Sequence, residues 1–153
     1  MKGVVVLLSI ALLGTAWSSC VLRFDDASKE CAEPYGYTDR QVFEFFYSGY
    51  KSKDAPNLHL FVECSWRKWG FLNENGDINY QAIKNTKIPL TNLLGICDDA
   101  PVASPKYATA FVDSVDQCER EAPDHLRAET IRSCIAQRWK EHVDSARMEV
   151  LGS

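Results

Sequence analysis

The chain has 153 residues, a formal charge of −4, 46% hydrophobic residues and six cysteines. That length gives one ordinary domain with enough chain to bury a single core. The acidic balance, and the absence of a basic run interleaved with aromatics, argue against nucleic acid as a partner.

Met1-Lys2 is followed by a mostly apolar run from Gly3 to Leu13 and then by Gly14-Thr15-Ala16-Trp17-Ser18. One early positive charge, a short apolar stretch and small residues at its end are the parts of a secretory signal peptide. The run falls short of the roughly 20 residues of a membrane span, and no later stretch competes with it. Ala16, Ser18 and Ser19 are all small enough to precede the cut. Cleavage after Ser18 makes residues 1–18 the signal peptide and residues 19–153 the secreted domain, with no membrane span left after cleavage.

Helical signals dominate the rest. Thr38-Asp39 stands before Val42, Phe43, Phe45 and Phe46, which predicts a capped amphipathic helix to about Tyr50. After a polar break, Asn57 is placed to cap a helix from Leu58 to Trp69, with Leu58, Phe61, Cys64 and Trp69 at helical spacing and Leu60 and Val62 beside them. Gly70 and Asn73-Glu74-Asn75-Gly76-Asp77 predict a turn. Two short helices follow, Ile78–Ile83 and, opened by Pro89, Leu90–Cys97. Tyr107, Phe111, Val115 and Cys118 then share a helical face. Asp124 is placed to cap a last long helix over Leu126–Val150, carrying Ile131, Cys134, Ile135, Trp139 and Val143. The predicted fold is all-α: a compact array of about six or seven helices, most of them short, stapled by disulfides. Helices this short are marginal alone, so packing and crosslinks must hold them.

All six cysteines, Cys20, Cys31, Cys64, Cys97, Cys118 and Cys134, lie beyond the proposed cut. An even count in a small secreted chain reads as a disulfide framework. Structural zinc takes closely spaced ligand pairs, and no CxxC is present, so no metal is expected. Asn85-Thr86-Lys87 does not form an N-glycosylation acceptor, since its Thr stands one place early.

Cys31-Ala32-Glu33-Pro34-Tyr35-Gly36-Tyr37-Thr38, then Leu60-x-x-x-Cys64-x5-Gly70-Phe71-Leu72 and the acidic turn to Asn79, resemble the insect odorant-binding protein family of pheromone and general-odorant binders. In that family a second cysteine stands where this chain has Leu60. A fifth stands where it has Thr109, nine positions before Cys118, and those two cysteines bond together. Losing both leaves no odd thiol, which is the pattern of minus-cysteine members. The resemblance covers roughly Cys31 to Cys118 and implies the pairs Cys31–Cys64 and Cys97–Cys118. It also implies that Leu60 and Thr109 face each other across two helices. Cys20 and Cys134 depart from the pattern, the latter in a C-terminal extension from about residue 122. They are expected to pair with each other, pinning the last helix across the start of the chain. The rival pairing joins Cys20 to Cys64 and Cys31 to Cys134.

The resemblance further implies an internal apolar cavity, walled by helices, for a small hydrophobic molecule. Candidate wall residues are Phe45, Phe46, Leu60, Phe61 and Leu94, with Phe111, Val112, Val115 and Trp139 from the C-terminal half; each is equally an ordinary core residue by periodicity alone. His59, His125 and His142 are the only histidines, and His59 is the best candidate for an acid-sensitive switch, against the plain reading of a solvated first-turn histidine. No G-x-S-x-G or HExxH motif appears, so an enzyme is not expected, and no cofactor is implied. The first reading is a secreted extracellular carrier of odorants or pheromones, as in olfaction. The second is a salivary scavenger of biogenic amines or lipid mediators, for which Glu141 and Asp144 are candidate amine acceptors. The third is a secreted interaction module without a cavity ligand, favoured by a cavity under about 300 Å3. A receptor contact has no signature in the sequence.

Overall fold

A computed structural model describes residues 20–48, 54–97, 103–121 and 127–152. The expected signal peptide lies outside these residues, as do Tyr50, Asp124, His125 and Leu126. The described part holds seven α-helices and no strand. They are α1 (Asp26–Ala32), α2 (Asp39–Ser48), α3 (Leu58–Lys68), α4 (Tyr80–Lys84), α5 (Leu90–Leu94), α6 (Pro105–Glu121) and α7 (Ala128–Gly152).

Local chemistry sets most boundaries. Asp25 caps α1 by accepting from the Ser28 backbone N–H at 2.8 Å. A 3-10 turn, Glu33–Tyr35, then leads to Gly36, whose φ of 65° ends it. Thr38 opens α2 with a reciprocal cap: Gln41 N–H donates to Thr38 Oγ1 at 3.2 Å, and Thr38 N–H donates to Gln41 Oε1 at 3.0 Å. Two helices are shorter than their sequence pattern. The expected helix from Ile78 starts only at Tyr80, because Ile78 pairs with Leu72 in an antiparallel bridge and Asn79 then caps α4. The expected Leu90–Cys97 helix stops at Leu94, where Gly95 turns the chain with φ 70°.

Leu58, Phe61, Val62, Ser65 and Trp66 form the buried face of α3 at i, i+3, i+4, i+7 and i+8. This face packs on α1 and α7 and carries the main core with Ile83, Leu93, Leu94, Val115, Ile131 and Ile135. A smaller cluster of Ala110, Trp139 and Val143 extends the core along α6 and α7. These two helices share the largest interface and run antiparallel, as Glu121–Arg138, Gln117–His142 and Lys106–Glu149 pairings along them require.

The disulfides are Cys31–Cys64, Cys20–Cys97 and Cys118–Cys134, with Cα separations of 5.7, 5.5 and 6.0 Å. The first, between α1 and α3, is the expected one. The expected Cys97–Cys118 and Cys20–Cys134 pairs are not formed, and neither is the rival set. The antiparallel α6–α7 pair sets Cys134 directly against Cys118. That leaves Cys97, just past α5, beside the first described residue. Hydrogen bonds hold the same two segments together there: Asn92 Nδ2 donates to Arg23 O at 2.6 Å and Arg23 N–H donates to Asn92 Oδ1 at 3.2 Å. The pairing thus exchanges partners between the two expected bonds. Leu60 and Thr109, expected to face each other, are both exposed, and Thr109 Oγ1 bonds along its own helix to Asp113 Oδ2 at 2.6 Å.

Candidate functional site

The C-terminal end of α2, the segment after α5 and one long face of α7 enclose a cleft of about 1230 Å3, open to solvent on one side. The α2 wall is Phe45, Phe46 and Tyr47, and the next is Leu94, Gly95, Ile96 and Cys97. From α7 come residues between Glu129 and Arg147, a stretch of about 27 Å at the helical rise. Where a closed apolar cavity was expected, the described residues form a half-open groove with an apolar base and a charged margin.

Gly95 explains how the first two walls meet. Its φ is positive, and a Cβ there would overlap the Cβ of Phe46, so α2 seats directly on the chain reversal after α5. Arg132 then fastens α7 to both. Its guanidinium lies 3.9 Å from the Phe46 ring centroid and donates to Leu94 O at 3.2 Å, at the carbonyl end of α5. It also donates twice to Glu129, from Nε to Oε2 at 2.6 Å and from Nη2 to Oε1 at 2.8 Å. Both residues are buried, Arg132 at 3% exposure and Glu129 at 8%. A fork-to-fork pair with a further carbonyl and a ring face is the geometry that makes burying two charges tolerable.

Of the residues predicted from sequence, Phe45, Phe46, Leu94 and Trp139 come together in this cleft. Phe61 and Val115 sit in the main core, Phe61 with its ring 5.6 Å from that of Phe24. Phe111 is half-buried between the two clusters. Leu60 and Val112 are 40% and 39% exposed and do not line the cleft. His59 is half-buried on α3, also outside it. Glu141 accepts from Arg138 at 2.8 Å and does not line the cleft, whereas Asp144 borders it.

Gly95, Glu129, Arg132, Lys140, Val143 and Arg147 belong to the site without having been singled out for it. Spacing on α7 carried a signal: Glu129, Arg132, Ala136, Trp139 and Val143 follow one helical stripe. An opposed charge pair on an otherwise apolar stripe marks a buried polar anchor. Among the described residues no group of three or more His, Cys, Asp or Glu is arranged to hold a metal ion. No described helix is long and apolar enough to cross a membrane.

The model of one protein family, described as the PBP/GOBP family, matches residues 19–138. No curated protein and no solved structure matches the chain.

Proposed function

Because the chain belongs to the PBP/GOBP family, whose members bind odorants and pheromones and are not enzymes, we propose that it is a secreted carrier of small hydrophobic ligands and that the α2–α5–α7 cleft holds them. The observation that carries this reading is the aromatic and aliphatic base of that cleft, made by Phe45, Phe46, Leu94, Trp139 and Val143. Ligand sites are concave, mostly apolar and furnished with a few placed polar groups. The cleft, about 1230 Å3 and open on one side, has room for a small molecule. Three disulfides suit an oxidising extracellular fluid, in keeping with the signal-peptide reading of residues 1–18. Within the family we read Leu60 and Thr109 as standing in the places of a cysteine pair, the minus-cysteine pattern, with a C-terminal extension.

The scavenger of biogenic amines is a second reading, favoured by one group, the Asp144 carboxylate at the cleft margin. Lys140 and Arg147 stand one turn to either side of it on the same face, and their charge opposes an amine.

Displacement of N-phenyl-1-naphthylamine from the oxidised protein tests the proposal. Odorants or fatty alcohols should displace the dye, and serotonin and histamine should not. Absence of dye binding would remove the carrier reading, and amine-selective displacement would replace it with the scavenger.

A further inference from the structure

Arg132, the buried anchor at the cleft, has hydrogen-bond donors to spare, and on the carrier reading they have a use. A guanidinium carries five N–H groups in one plane and accepts nothing. Arg132 commits three of them: Nε and Nη2 to the two carboxylate oxygens of Glu129, and Nη1 to Leu94 O. One N–H on Nη1 and one on Nη2 therefore have no acceptor among the described residues. The Phe46 ring, its centroid 3.9 Å away, covers a face of the plane and not the edges from which the N–H groups point.

Arg132 is only 3% exposed, so bulk water does little for these two donors. A buried donor without an acceptor costs free energy, and folded proteins pair nearly all of theirs. Arg132 also lines the cleft, beside the apolar side chains of Phe46, Leu94, Ala136 and Trp139. A strong donor on an apolar wall is the kind of group that orients a small molecule in such a site. Glu129 and Leu94 O already hold the guanidinium in place, so little ordering is left to oppose a further bond.

We propose that Arg132 is a ligand-binding residue of the cleft, and that its two uncommitted N–H groups donate to a carbonyl oxygen of the ligand. The cleft then takes apolar ketones, aldehydes or esters in preference to hydrocarbons of the same shape. The oxygen sits at Arg132, and the apolar chain lies along Phe46 and Trp139. A hydrogen bond from an ionised donor is stronger than one between neutral groups, so its loss is large enough to measure.

The test uses 2-tridecanone, isotope-labelled at its carbonyl carbon, and 2-methyl-1-tridecene, in which a methylene group replaces the oxygen. Both compete with N-phenyl-1-naphthylamine on the oxidised full chain, on R132K and on E129L/R132M. Lysine brings three donors for the three acceptors already in place. The double variant replaces a buried ion pair with apolar side chains of similar size, an exchange that proteins tolerate. Circular dichroism checks that both variants fold. The ketone-to-alkene affinity ratio should fall about 10-fold or more in each, with alkene affinity within about two-fold of the parent's. In the infrared, the carbonyl stretch of ketone bound to the parent should lie below its position in hexane and move back up in the variants. A stretch at the hexane position on the parent protein overturns the inference without recourse to any variant. So does a ratio and stretch unchanged in either folded variant, and both results leave the carrier reading standing. Failure of ketone and alkene alike to bind the parent would instead remove the carrier reading itself.

Discussion

Arg132 is the residue on which the cleft's walls converge. It stacks on α2 through Phe46, takes the terminal carbonyl of α5 through Leu94 and neutralises Glu129 on its own helix. Truncating it leaves a buried carboxylate without its guanidinium, a loss that costs far more than a surface ion pair. R132A should lower the unfolding free energy by about 3–5 kcal/mol in urea denaturation. A second polar anchor sits at Asp25, whose carboxylate accepts from Ser28 N–H and from the Trp69 indole at 2.7 Å. Partial burial pushes its pKa up, but the hydrogen bonds from Ser28 and Trp69 outweigh it and hold the carboxyl below its ordinary value. A depressed carboxyl contributes stability that is complete above its unfolded pKa, about 3.9, and disappears as pH falls through the folded value. D25A should therefore cost about 1–2 kcal/mol at neutral pH, and the gap from the parent should close below pH ~4 in acid unfolding curves. Neither anchor was legible as such. Sequence gives Arg132 a helical position, but the ring and carbonyl it meets belong to segments far away in the chain.

At the level of elements, local codes were readable and tertiary ones were not. Thr38, Pro89 and the turn after Gly70 announce helix starts and reversals through chemistry within a few residues, and the structure follows them, whereas α4 starts two residues later than its pattern, after the Asn79 cap. Gly95 ends α5 early by turning with φ 70°, a local stop that the expected Leu90–Cys97 helix ran through, and the approach of Phe46, which sequence does not carry, leaves no room for a side chain there. The disulfides divide in the same way. Cys31–Cys64 followed from the resemblance, whereas the partners of Cys97 and Cys118 depended on how α6 and α7 fold back on each other. Cys20–Cys97 spans a separation of 77 residues and fixes one end of the segment that Arg132 holds at the other. Removing a crosslink over so long a loop frees much unfolded-chain entropy. The C20S/C97S variant should lose about 3–4 kcal/mol of stability in guanidinium unfolding. Amides of Gly95 and Ile96 should lose hydrogen-exchange protection before those of α3.

For the molecule as a whole, the fold class was legible because periodicity and caps act along the chain, and the all-α array is what forms. The cleft was only partly so. Phe45, Phe46, Leu94 and Trp139 have inward periodicity in common with Phe61 and Val115, and only assembly separates wall from core. The architecture divides the labour: α1, α3 and α6 pack together through the inner face of α7, while α2, the segment after α5 and another face of α7 border the cleft. A carrier needs that division, since the packed helices supply stability and the cleft supplies the site. Trp139 lines the cleft, and Trp66 and Trp69 lie in or against the main core, which gives the account a direct reporter. The measurement is a proton–nitrogen correlation spectrum of the oxidised protein, titrated with N-phenyl-1-naphthylamine, with W139F assigning the indole resonance. The Trp139 indole N–H is expected to shift saturably while those of Trp66 and Trp69 hold still. A spectrum that does not change, or one in which Trp66 or Trp69 moves and Trp139 does not, would contradict it.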